Sequence, residues 1–502
     1  MKTSSFRRTL RAPMISVAIA ISAAISLSAC GGGGSDSSAP PVVVNPPVTP
    51  PVVVDPPVVV PPVVVPPVVV EPPVVAPPVV VEPPVVVVPP VVVEPPVVVA
   101  PPVTKPGGSP LNPVPAVIGD DNVAPIYVDA GAFSNVKIPN AIYVDVKVCS
   151  PSNPASCAVI DHVLVDTGSV GLRLFADAAP SALLAGLPNA TSGGEPLGEC
   201  LSFVSGTTWG SVRKADIRMG GVNQSGKMAV NMSIQIIGDT GAKFADVPAS
   251  CQGLQISSAA QMGAKGIIGI GLFAQDCGSA CTVFAPPVYF SCAQAPCRQI
   301  QVPLADQVAN PIIGFGADNN GNILVLPSLP NRVAARADGM LIFGLGTRSN
   351  NALPSGSSVL AANSLGYFSS QFNGSTLPNS LIDSGSSVNF FPAQDGAVKF
   401  NACPGGIASF LCAGSNMTIT AANSGSRGTS STIPVFVVDG LSAFTANPQG
   451  LAFEGLAGPS QAPYQTLFLG ASFFYGRSVG LLIEERSAVG ISFPGPAFTH
   501  TQ

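Results

Sequence analysis

Asp166 and Asp383 are the residues best placed by type and spacing to do chemistry. In HVLVDTGSVGLRLF, residues 162–175, an apolar run ends on Asp166 and turns at Gly168; in NSLIDSGSSVNFF, residues 379–391, an apolar pair ends on Asp383 and turns at Gly385. A single acid of this kind reads as a turn former or helix cap, because aspartate hydrogen-bonds its own backbone. The second copy changes that reading. Both stretches run Asp, small hydroxyl residue, Gly, Ser, at a separation of 383 − 166 = 217 positions, which points to an internal duplication that supplies one acid per copy. Two carboxyls a few ångströms apart cannot both ionise cheaply, so they hold one proton between them. The ionised member can take a proton from an attacking water, while the protonated member hydrogen-bonds the oxygen under attack and then protonates the leaving group.

Other chemistries find less support. The only histidines, His162 and His500, sit in no motif that would pair either with a nucleophilic serine. Beyond Cys30 there are ten cysteines, an even number, and in an exported chain these are expected to form disulfides. Cys149 and Cys157 flank a turn-rich SPSNPAS and would staple a hairpin; Cys403 and Cys412 are the other local pair. The C-x3-C and C-x4-C spacings between Cys277 and Cys297 raise a zinc site. Exported thiols usually oxidise, however, and the histidines are remote in sequence, so no metal and no cofactor is expected. A net charge of −5 with 22 scattered basic residues leaves no patch for nucleic acid. One tryptophan, Trp209, is too little for a carbohydrate-stacking platform.

The elements that must position the acids begin well into the chain. Residues 1–29 read as a lipoprotein signal peptide: Lys2, Arg7, Arg8 and Arg11, then an uncharged apolar stretch, then LSAC ending on Cys30. Residues 30–110 are Gly/Ser-rich and then Pro/Val-rich, reading as a disordered or polyproline II linker. Its 63-residue repeat from Pro40 to Pro102 would span roughly 190 Å if fully extended. From about Asn112 the chain turns to short apolar runs punctuated by Gly, Asn, Ser and Pro, the pattern of many short strands. FVSGTTWGSVRKADIRMGG, residues 203–221, reads as a hairpin with a Gly-rich tip, and Asn373-Gly374 as a hairpin turn. Each acid motif is followed downstream by an apolar pair and a glycine, Ile267-Ile268-Gly269 and Phe468-Leu469-Gly470.

VDTGS, IDSGS, GIIGIGL and FLGASFFYGRSVGLLIEERSAVGISF, in that order, resemble the pepsin-like aspartic proteases over roughly residues 120–495. The chain also resembles a bacterial lipoprotein family described only as a domain of unknown function. The first resemblance implies a mainly β, bilobal acid-protease fold: two β-barrel-like lobes, 111–310 with Asp166 and 311–502 with Asp383, and a cleft between them. It implies that Asp166 and Asp383 are catalytic. Thr167 and Ser384 would tie the two loops beneath them, Ser169 and Ser386 would hydrogen-bond the outer carboxylate oxygens, and Gly168 and Gly385 would permit the tight turns. In that family a flap hairpin carries a tyrosine over the acids, whereas lining up the glycines here places Ser205 or a neighbour there; Trp209 either replaces the tyrosine or simply packs. The implied activity is that of an endopeptidase on a peptide or protein substrate; the alternative is a non-catalytic binding or structural module of the same fold. Lipidation of Cys30 would anchor a monomer to an envelope membrane, with the outer membrane favoured by the Gly31–Gly34 run after it.

Overall fold

The computed structural model describes residues 114–251, 253–460 and 466–501. The signal segment, Cys30 and the 30–110 linker lie outside the described residues. Within them the chain is mainly β, with a six-stranded barrel and additional strands. The longest α-helix described, Gly440–Ala446, has 7 residues. Short apolar runs broken by turn residues leave no segment long enough for a larger helix, while alternation fits strands facing water on one side. In Ser430–Val437 every second side chain is buried.

Two large sheets hold most of the strands, one of 16 and one of 7. In the larger, Val123–Val128 pairs with Tyr143–Ser150 on one side and with Ala337–Phe343 on the other. That pairing carries the sheet from the first half of the chain into the second, on through Gly321–Val325, Ser478–Leu482 and Ala497–His500. Strands from both sides of residue 310 therefore share one hydrogen-bonded sheet. The smaller sheet contains the strand that leads to Asp383.

The Asn373-Gly374 turn joins Phe368–Phe372 to Ser375–Ile382 with φ of 49° and 82° at its two central residues, as an Asn-Gly hairpin turn requires. Residues 203–221 differ from the sequence reading. Gly206–Met219 is one continuous 14-residue strand, paired with Glu195–Phe203 before it and Lys227–Ile237 after it. The glycines taken for a mid-hairpin tip are instead close-approach points; a Cβ on Gly210 would stand 1.8 Å from the Ile236 carbonyl oxygen.

The ten cysteines form five disulfides. Cys149–Cys157 and Cys403–Cys412 pair as expected, and the remaining bonds are Cys200–Cys251, Cys277–Cys281 and Cys292–Cys297. Cys149 and Cys157 face each other in register across their hairpin. No helix among the described residues is long and apolar enough to cross a membrane.

Candidate active site

The same local construction occurs twice. Asn153–Asp166 ends on the first acid and Val170–Phe175 leaves the loop; Gly266–Ile270 lies between them, parallel to the first strand with Asp166 opposite Gly269 and antiparallel to the second with Val170 opposite Ile270. In the second copy, Ser375–Ile382 leads to Asp383 and Asn389–Phe391 leaves. Phe468–Leu469 lies between these, parallel with Ile382 opposite Leu469 and antiparallel with Phe390 opposite Phe468. The two downstream apolar-Gly runs are thus the braces of the two acid loops. Each brace needs its glycine because the loop passes directly over it. A Cβ on Gly269 would be 2.4 Å from the Val170 nitrogen, and one on Gly470 2.1 Å from the Val388 carbonyl oxygen.

The two loops meet through matched hydrogen bonds. Thr167 N donates to Ser384 Oγ at 3.1 Å, and Ser384 N donates to Thr167 Oγ1 at 2.9 Å. The hydroxyls then reach across: Thr167 Oγ1 donates to the Ile382 carbonyl at 3.2 Å and Ser384 Oγ to the Val165 carbonyl at 2.7 Å. Each hydroxyl side chain therefore satisfies groups of the opposite copy. The carboxylates are held in the same symmetrical way. Asp166 accepts from Gly168 N at 2.8 Å and from the Ser169 hydroxyl, and Asp383 accepts from Gly385 N at 2.9 Å and the Ser386 hydroxyl at 2.7 Å.

Gly385 does a different job from the one its motif suggested. Its φ lies outside the left-handed region, and a Cβ there would stand 2.5 Å from Asp166 Oδ1 and 3.2 Å from Asp383 Oδ1. The missing side chain makes room for the carboxyl pair, which is a packing requirement and not a turn requirement.

Asp166 and Asp383 are 1% and 0% exposed, so solvent does little to stabilise charge on either. Burial raises the proton affinity of both, and each carboxyl shifts the other. For Asp166 the rise is opposed by the Ser169 hydroxyl, Asp383, the Gly168 N–H and the charge of Arg173. Asp383 is pushed well above the usual carboxylate range, by burial first and then by the neighbouring charge of Asp166. Two buried carboxyls on facing loops share one proton more cheaply than both ionise, which equips the pair to accept one proton and deliver another.

Ser205 sits in the turn between Glu195–Phe203 and Gly206–Met219, its buried hydroxyl without a hydrogen-bond partner among the described residues. Next to it, Thr207 N donates to the Leu254 carbonyl and Ile256 N to the Thr207 carbonyl, both at 2.8 Å, which docks this end of the hairpin on residues 254–256. Trp209 is 5% exposed and clusters with Phe244, Phe290 and the cysteines of two disulfides. Its ring N–H donates to the Phe244 carbonyl at 2.8 Å. His162 pairs with Asp129 at 3.3 Å, and His500 faces the Phe473 ring.

Sequence reasoning missed a second buried group of charges: Arg173, Glu199, Asp276 and Tyr289. Its one legible trace was an arginine in the otherwise apolar VGLRLF, a strand buried along its whole length.

Residues 119–499 match the family model described as "Protein of unknown function (DUF3443)". Comparison with curated proteins finds no match.

Proposed function

The chain belongs to the DUF3443 family, and from that premise, which carries no activity with it, we propose that it is a pepsin-like aspartic endopeptidase whose two lobes each supply one acid. The observation that carries the reading is the carboxyl pair held by two loops that repeat each other bond for bond. Asp166 takes a proton from water as the oxygen attacks a peptide carbonyl. Asp383 donates its hydrogen bond to the carbonyl oxygen and then helps protonate the departing nitrogen. The strap through Thr167 and Ser384 supports this by fixing the two carboxyls relative to each other, since a misplacement of 1 Å can cost about a hundredfold in rate.

The test is cleavage of a mixed peptide library from acid to mildly alkaline pH, paired with a pepstatin-type inhibitor. An inhibitor that binds only the folded state stabilises it by about 2.7 kcal/mol at a hundredfold excess over its Kd. Cleavage together with a raised Tm supports the reading; neither one, in folded protein, removes it.

The near-zero exposure of both acids favours a second reading, a binding or structural module of the same fold in which the pair is part of the core. Under that reading the envelope role survives when both acids become asparagine. The basic, apolar, LSAC-ending N-terminus supports an envelope location for either reading. Cys30→Ala is expected to move the protein from the membrane fraction to the soluble one; retention after a high-salt wash would count against the lipid anchor.

A further inference from the structure

The two acid loops match over their first four residues and differ in the strands that leave them, and one of those differences is informative. Seven residues beyond Asp166 the chain has Arg173; seven beyond Asp383 it has Phe390. Arg173 is fully buried, in a strand with no solvent-facing side. Its Nη1 donates to the Val170 carbonyl at 2.5 Å, next to the Ser169 whose hydroxyl holds Asp166. Its Nη2 forks to Glu199 Oε1 at 2.6 Å and Asp276 Oδ2 at 2.9 Å. Tyr289 completes the group, donating to Asp276 Oδ1 and accepting from Val308 N, both at 2.7 Å.

Charge counting decides the state of this cluster. Two fully buried acids face one guanidinium, and an uncompensated buried carboxylate costs several kcal/mol, so one acid keeps its proton. Burial and the neighbouring Glu199 hold Asp276 well above the usual carboxylate range. Tyr289 is held neutral by burial and both acids. On the adjoining turn Glu484 accepts from Ala274 N at 2.8 Å. The cluster is therefore neutral overall, a buried ion pair with its cation nearest the Asp166 loop.

We propose that Arg173, held in place by Glu199 and Asp276, is a positioning residue that makes Asp166, not Asp383, the ionised member of the pair. The proposal rests on the peptidase reading for its use, since it says which acid is the base, but not for its test. A near-symmetrical dyad has no reason of its own to place the proton on one side. A buried cation behind one loop and a phenyl ring at the matching position of the other supply the bias, and the charge of Arg173 opposes the burial-driven rise of Asp166 while the causes at Asp383 include no cation.

The experiment is an infrared pH titration of the carboxyl and carboxylate bands of the folded full chain. The dyad bands are assigned by their loss in Asp166→Asn and Asp383→Asn. Wild type is compared with Arg173→Met, Arg173→Lys and the double variant Arg173→Met/Glu199→Gln, which removes both charges and keeps the cluster neutral if the single change prevents folding. In the charge-free variant the lower dyad transition is expected to rise by about one pH unit, a tenfold gain in proton affinity, and Arg173→Lys is expected to restore it. A lower transition that stays put in the folded double variant overturns the proposal. Where wild type cleaves peptide, the acid limb of its pH profile should move with that transition; where it cleaves nothing, the peptidase reading fails while the titration still decides the role of Arg173.

Discussion

An Asp383→Asn variant is expected to lose peptide turnover and, from neutral to mildly alkaline pH, to be more stable than the wild type. Both effects come from the same buried proton. Asparagine can keep both local contacts: its amide oxygen, in place of Oδ1, accepts from Gly385 N, and its amide nitrogen, in place of Oδ2, donates to a Ser386 hydroxyl that turns to accept. It cannot deliver a proton to a leaving nitrogen, and general acid and base groups contribute roughly 10²–10⁴-fold to rate. Asp166→Asn removes the base and is expected to be as inactive. The stability effect follows from linkage. In the unfolded chain an aspartate titrates at about 3.9, whereas burial and the charge of Asp166 raise the folded value for Asp383. Below the unfolded value both states carry the proton and its contribution is complete. As pH rises toward the folded value the unfolded chain alone releases the proton, and the folded state loses up to about 1.4 kcal/mol of stability per pH unit. Asparagine has no proton to lose, so the wild-type decline should flatten in the variant while the two proteins stay close at acid pH. Thermal unfolding across pH, with the peptide assay on the same samples, checks both halves. Turnover that survives, or a folded variant less stable than wild type above neutrality, contradicts the account of the pair.

Much of this site was legible because its signals are local. An acid, a hydroxyl and a glycine within four residues, written twice, carry the strap and the carboxyl pair. The Asn373-Gly374 turn and the Cys149–Cys157 and Cys403–Cys412 bonds lie within short segments as well. What escaped depends on where distant strands meet. Cys200 and Cys251 are 51 residues apart, and only the docking of the Glu195–Phe203 hairpin on residues 251–256 brings them together. Arg173 meets its two carboxyl partners across separations of 26 and 103 residues, so a lone basic residue in an apolar strand had no readable partner. The role of Gly385 was hidden for a related reason: composition says that a glycine is there, but only the approach of Asp166 from the other loop shows why. The sequence left open whether Trp209 covers the acids or packs, because the partners that enclose its ring lie on segments distant in the chain.

Trp209→Ala is accordingly expected to unfold the protein more easily without slowing its chemistry. The indole is enclosed by Phe244, by Phe290 edge-on at 5.2 Å, and by the Cys200–Cys251 and Cys292–Cys297 bonds. Gly198 lies against it so closely that a Cβ there would be 2.5 Å from the ring. Truncation leaves a cavity that two disulfide-closed segments can fill only in part, and it strips the Phe244 carbonyl of its donor at 2.8 Å. Large-to-small aromatic changes in a core cost about 3–5 kcal/mol, and the unpaired carbonyl adds to that cost. Trp209→Phe, which keeps most of the volume but not the N–H, should fall between. Because Trp209 is the single tryptophan, its fluorescence reports unfolding of this region in the wild type, while circular dichroism or calorimetry must follow the variants. If the ring instead covered a bound substrate, kcat/KM per folded molecule would collapse while Tm barely moved, since a flap residue acts by excluding water from the acids and not by filling the core. The expected outcome is the reverse: a large fall in Tm, with the specific activity of the folded fraction close to wild type under conditions where the variant remains folded. The placement of the side chain among two disulfides and two phenylalanines, opposite Cys200 in the hairpin register, makes that direction a consequence of packing alone.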